Sequence, residues 1–119
     1  MGRIRLNTDN GAKTIEEAFE EFQKSHRVRD LAKDTINSYE DSYRAFIKYY
    51  SGDNLCSSLN KQVMDNFILF LKDKGTVNNL SINSYLKNMR AFINFCIRLG
   101  YMDEFKVQLL SVEKNIKET

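Results

Sequence analysis

Several absences from this 119-residue sequence exclude whole classes of protein. It has one histidine, two cysteines and five glycines that are scattered singly. Scattered glycines cannot form a glycine-rich phosphate-binding loop, which argues against a nucleotide-binding enzyme. One histidine and two cysteines are too few for a tetrahedral zinc site, and two cysteines are too few for a disulfide framework. We therefore expect no metal and no cofactor, and we expect both cysteines to stay free thiols in a reducing cytoplasm.

Long apolar runs are also missing. The longest uncharged stretch, residues 75–86, is polar and too short to cross a membrane. The first residues, Met1-Gly2-Arg3-Ile4-Arg5, lack the apolar run of a signal peptide. With 42% hydrophobic and 29% charged residues, the sequence is typical of one globular domain. These features predict a cytoplasmic protein without a membrane partner.

The sequence has no proline, and its apolar residues recur at steps of three and four. This spacing predicts four amphipathic helices, at about residues 14–25, 33–50, 60–75 and 81–99. Thr14 and Glu17 have the spacing of a capping box, Asn60 is a favourable N-cap, and Gly75 and Gly100 are typical helix stops. The predicted fold is all-α, a compact bundle of four main helices.

Most aromatic and thiol side chains lie on the apolar stripes of these helices. We predict core positions for Tyr39, Tyr43, Tyr50, Tyr85 and Cys96 rather than reactive ones. Phe95 lies off its stripe and would cover a neighbouring segment or meet a partner. His26 belongs to a basic stretch, residues 26–29, which is predicted to be an exposed turn.

Charge is distributed unevenly along the chain. The net charge is only +2. The first helix carries four glutamates, whereas no acidic residue occurs between Asp73 and Asp103. The outer stripe of the fourth helix combines Lys and Arg with Asn and Ser, which suits a polyanion. Charge alone still favours the alternative of a solvated helix face.

The order and spacing of the apolar and polar positions resemble one known family. The sequence is similar to the N-terminal core-binding (SAM-like) domain of tyrosine recombinases, the phage integrase family, over about residues 13–103. The family often has Asn-Pro soon after the fourth helix, where this chain has Asp103-Glu104-Phe105. The resemblance rests on the segments Thr14-Ile15-Glu16-Glu17, Thr35-Ile36-Asn37-Ser38-Tyr39, Phe46-Ile47-Lys48-Tyr49-Tyr50, Phe67-Ile68-Leu69-Phe70-Leu71 and Ser81-Ile82-Asn83-Ser84-Tyr85-Leu86-Lys87-Asn88-Met89-Arg90-Ala91-Phe92.

This resemblance implies a DNA-binding domain that forms half of a clamp around the duplex. The second and fourth helices would face the major groove and its phosphates. By position, the second helix would contribute Lys33, Thr35, Asn37, Ser38, Arg44 and Lys48. The fourth helix would contribute Ser81, Asn83, Ser84, Lys87, Arg90 and Arg98.

The resemblance also implies which partners the domain has. Strand exchange in the family needs a catalytic domain with arginines, a lysine, histidines and a tyrosine, so we expect this chain not to be an enzyme itself. Its partners would be double-stranded DNA, the catalytic domain of a longer parent chain and neighbouring protomers on DNA. In the predicted arrangement residues 1–12 are an N-terminal arm that could be disordered, and residues 104–119 lead toward the catalytic domain.

One alternative from another class remains at this stage. The chain could be a helical protein-interaction module without a nucleic-acid role. That hypothesis predicts an exposed apolar groove involving Phe95 and the segment with Phe105, Val107, Leu109 and Leu110.

Overall fold

The computed structural model describes residues 13–75 and 77–110. Four helices occupy most of this part of the chain: α1 (Ile15–Val28), α2 (Lys33–Tyr49), α3 (Lys61–Lys74) and α4 (Asn79–Arg98). A single 3₁₀ turn, Cys56–Ser58, lies between α2 and α3. The all-α, four-helix prediction is confirmed. The predicted N-terminal arm, residues 1–12, lies outside the described residues.

Side chains and glycine define the helix ends, as the sequence predicts. The Glu17 backbone N–H donates to Thr14 Oγ1 over 3.0 Å, and the Thr14 N–H donates to Glu17 Oε1 over 3.1 Å. This reciprocal capping box starts α1. Asn60 caps α3 and Asn78 caps α4, so α4 starts two residues earlier than predicted. Gly75 ends α3 with φ of 70°, a left-handed conformation that glycine adopts without steric cost.

The C-terminal end of α1 differs from the prediction. The stretch 26–29 is not an exposed turn: α1 continues through Val28, and the chain reverses at Asp30, where φ is 61°. His26 is only 3% exposed, because it lies on the apolar stripe of the longer helix. Its ring stacks on Tyr39 and meets Phe22 edge-on. The expected exposure of His26 is therefore wrong.

α2 and α4 are the central helices of the core, since each of them packs against the other three. The rings of Phe46, Phe67 and Phe92 are buried between the helices. Tyr39, Tyr43, Tyr50 and Tyr85 are half-buried against the same core, as predicted. Cys96 is fully buried, and the Cys56 thiol lies within hydrogen-bonding reach of it.

The segment after α4 folds back onto the bundle. Met102 and Val107 are each 6% exposed, and Phe105, Leu109 and Leu110 are half-buried against the core. The Tyr101 hydroxyl donates to Glu21 Oε1 over 2.6 Å, which ties this segment to α1. The apolar residues of the segment therefore cover the bundle instead of forming an open groove.

Candidate nucleic-acid interface

The predicted interface lies on α2 and α4, and one amide joins the two helices. Asn88 Nδ2 donates to the backbone oxygen of Ser38 over 3.2 Å, to Ser38 Oγ over 3.0 Å and to Ser42 Oγ over 2.9 Å. Ser42 is buried, so these bonds fix the spacing of the helices at their line of contact. Asn88 is absent from the sequence-based site. Its sequence signal is a polar residue that borders the apolar stripe, beside Tyr85 and Phe92.

The outward side of α4 carries positive charge without any negative charge. Ser81, Ser84, Lys87, Asn94 and Arg98 are exposed there, and α4 contains no acidic residue. Among the described residues, neither Lys87 nor Arg98 belongs to an ion pair. The Arg98 guanidinium lies over the Phe95 ring, 5.7 Å from its centroid. Phe95 itself packs edge-on against Phe22, so it covers α1 within the same chain.

Two predicted residues of α4 lie away from this outward side. Arg90 is half-buried on the flank of the helix. Asn83 was expected on the outer stripe but is only 8% exposed. Asn83 Nδ2 donates to the Leu110 carbonyl over 2.9 Å, and the Leu110 N–H donates to Asn83 Oδ1 over 2.8 Å. The expected exposure of Asn83 is wrong because the returning segment covers that flank of α4.

The outward side of α2 has mixed charge. All six residues predicted there are exposed: Lys33, Thr35, Asn37, Ser38, Arg44 and Lys48. Arg44 Nη2 lies 2.7 Å from Glu40 Oε2, in an exposed ion pair that compensates part of its charge. Asp34 and Asp41 are also exposed on this helix. Among the described ion pairs neither Lys33 nor Lys48 takes part, so these two lysines contribute the uncompensated positive charge of α2.

α1 carries four glutamates, Glu16, Glu17, Glu20 and Glu21, which face a groove shared with α2. A groove of about 760 Å³ between α1 and α2 is lined by Glu16, Glu17, Glu20, Glu21 and Glu40, together with Lys13, Lys24, Arg27 and Arg44. Hydrogen bonds from Thr14 hold the pKa of Glu17 below its usual value. Burial and the neighbouring Glu16 raise the pKa of Tyr43 to about 12, so this phenol stays neutral. The groove therefore has mixed charge, whereas α4 carries cationic residues and no acidic ones.

Comparisons with known proteins identify the family. The model of the phage integrase SAM-like domain matches residues 11–116. The chain belongs to this family. Its four-helix fold is similar to that of the N-terminal domain of a phage integrase/site-specific recombinase from Haloarcula marismortui, with a TM-score of 0.72 and 17% sequence identity. That similarity covers 83% of this chain and 98% of the archaeal one. No curated protein sequence matches the chain.

Membership of this family connects the SAM-like domain with site-specific recombination and DNA integration. Both comparisons match a SAM-like or N-terminal domain and not a catalytic one. Within the part of the chain that the structure describes, no helix is both long and apolar enough to cross a membrane.

Proposed function

We propose that this SAM-like domain binds duplex DNA through the outward sides of α2 and α4, as the core-binding half of a tyrosine recombinase clamp. One observation carries the proposal: α4 presents exposed Lys87 and Arg98 without any acidic residue, beside the exposed face of α2. The Asn88 bonds keep the two faces aligned. Lys and Arg neutralise phosphates, and Asn and Ser side chains bond phosphates or base edges.

The interface that we propose differs from the predicted set in two ways. Asn83 is left out, since both ends of its amide bond the Leu110 backbone. Arg90 lies at the margin of the interface because it is half-buried. The residues that remain are Lys33, Thr35, Asn37, Ser38, Arg44, Lys48, Ser81, Ser84, Lys87 and Arg98. In a complete recombinase, the catalytic domain of the parent chain would cover the opposite face of the duplex.

The alternative of a protein-interaction module has less support. Its predicted groove used Phe95 and the segment around Val107, but Val107 is 6% exposed and Phe95 packs against Phe22. The exposed large apolar residues, such as Leu69 and Leu80, are scattered singly. Single exposed apolar residues are normal on protein surfaces.

The experiment is fluorescence anisotropy with a random-sequence duplex at about 50 and 200 mM salt, a range over which phosphate contacts weaken steeply. Lys87→Ala should weaken binding several-fold at low salt without changing thermal stability. Lys24→Ala removes the same charge from an exposed position of α1 and is the matched control. Wild-type protein that does not bind at 50 mM salt would contradict the proposed function. Equal losses in both variants would contradict the assignment to α4.

A further inference from the structure

A second groove, of about 570 Å³, lies where α2, the end of α3 and the start of α4 meet. Arg44 and Lys48 of α2 line it, and so does Lys74 in the last turn of α3. Val77 and Tyr85 line it from the side of α4. Because Arg44 and Lys48 also belong to the outward side of α2, the groove is continuous with the proposed DNA interface.

The charge of this groove has one sign. Three cationic side chains line it, and no acidic residue is among the described residues that do so. Arg44 is partly compensated by Glu40. In the described part of the chain, Lys48 and Lys74 form no ion pair, so their charges are available to a ligand. The groove between α1 and α2 is different, since five glutamates line it.

The rest of the groove lining is largely apolar. Phe70, Val77 and Tyr85 are half-buried there, and Ile47 is 40% exposed. Lys74 Nζ lies 5.2 Å from the centroid of the Phe70 ring, which holds the ammonium group near the wall. A nucleic-acid backbone has apolar sugar carbons and anionic phosphates. Its sugars could pack on the apolar lining residues while its phosphates meet the lysines.

We propose that this groove receives the sugar–phosphate backbone of one DNA strand, with Lys48 and Lys74 at its phosphates. The inference rests on the proposed function and extends the DNA contact from α2 and α4 to the end of α3. The sequence does not reveal Lys74 as a contact, because only tertiary packing brings the end of α3 beside Lys48. An acidic protein segment has similar charge, and it is the alternative occupant if DNA binding does not depend on Lys74.

The test compares two substitutions in the same turn of α3. Lys72 and Lys74 are both exposed and both lie in the last turn, so they have the same charge and the same relation to the helix dipole. Lys72 does not line the groove. Anisotropy with the random-sequence duplex is measured for wild type, Lys72→Gln and Lys74→Gln at several salt concentrations. Thermal melting of each variant checks that it is folded.

We expect Lys74→Gln to weaken DNA binding about five-fold or more at 50 mM salt and to reduce the salt slope by about 0.9, the contribution of one phosphate contact. Lys72→Gln should stay within about two-fold of wild type on the same electrostatic argument. If wild type binds and the two variants have the same affinity as each other, the inference is overturned while the proposed function stands. The groove would then be free for an acidic protein segment. If wild type does not bind at all, both proposals fail.

Discussion

α2 packs against α1 mainly through aromatic rings, with one amide hydrogen bond from Gln23 to the Ile36 carbonyl. Its contact with α4 combines the ring pair Tyr43–Phe92 with a cluster of amide and hydroxyl groups. On the α1 side, the rings of Phe19 and Tyr43 stack with centroids 3.9 Å apart, and Phe22 meets Tyr39 edge-on. On the α4 side, Asn88 bonds Ser38 and Ser42. The difference follows the charge: the aromatic contact lies beneath the acidic α1, whereas the polar contact lies beside the cationic α4.

This comparison separates stability from binding. Stacked rings bury large apolar area and contribute mainly to folding. Small polar residues at a helix contact, such as Ser38, do not project far from the surface. The exposed sides of the two helices can therefore form one continuous polar face for a ligand. Changes on the α1 side should therefore reduce mainly stability, whereas changes on the α4 side should reduce stability by less and DNA affinity as well.

The largest expected effect is on the aromatic contact. Phe19 is 8% exposed and also meets Phe92 edge-on at 5.5 Å. Phe19→Ala should lower the free energy of unfolding by about 3–5 kcal/mol, because it removes buried area and leaves a cavity. Urea denaturation measures this loss. Phe19→Leu, which retains more apolar volume, is the control and should cost less. A loss below about 1 kcal/mol for the alanine variant would contradict the central role of this contact.

A smaller effect is expected for the polar contact. Asn88→Ala leaves the buried Ser42 hydroxyl without its amide donor and should cost about 1–3 kcal/mol in unfolding free energy. DNA affinity should fall as well, measured under conditions in which the variant stays folded, because α2 and α4 lose their alignment. Asn94→Ala, at an exposed position of the same helix, is the matched control for stability. Unchanged stability of Asn88→Ala would show that the apolar core alone fixes this helix pair.

The sequence predicts most of the fold because the relevant signals are local. The capping box at Thr14, the N-cap at Asn60 and the stop at Gly75 involve residues within one helical turn, and the structure confirms each of them. The sequence wrongly predicts an exposed His26, because the basic residues Arg27 and Arg29 that follow it suggest a turn. The packing of Phe22 and Tyr39 against its ring decides the outcome, and this packing depends on tertiary structure.

The candidate site is predictable only in part, for the same reason. The exposure of Lys87 and Arg98 follows from helical periodicity, and the structure agrees. Helical periodicity places Asn83 on the same outer stripe of α4, but the chain around Leu110, 27 positions further along, covers it. Asn88 and Lys74 acquire their significance from contacts between helices. Whether the exposed residues contact DNA stays a prediction.

The smallest expected effect is a pH dependence that arises on the α1 side. Gln23 Nε2 donates to the Ile36 carbonyl, so Gln23 Oε1 faces His26 Nδ1 at 3.0 Å and requires a proton on that nitrogen. Burial and the nearby Arg29 lower the pKa of His26 below its usual 6.5. A lowered pKa in the folded state means that the unfolded chain binds the proton more readily.

The contribution of His26 to stability is therefore complete above about pH 6.5 and is lost as the pH falls through the folded pKa. Urea denaturation of wild type and His26→Phe between about pH 7.5 and 5 measures it, since phenylalanine keeps an aromatic ring on Tyr39 but does not titrate. The unfolding free energy of wild type should fall more steeply with acidification than that of the variant. Protonation of carboxylates such as Glu17 reduces the stability of both proteins equally, so this contribution cancels in the difference between them. If the unfolding free energies of the two proteins changed in parallel with pH, the α1–α2 contact would accommodate protonated His26. The aromatic side of α2 would then be less rigid than its stacked rings indicate.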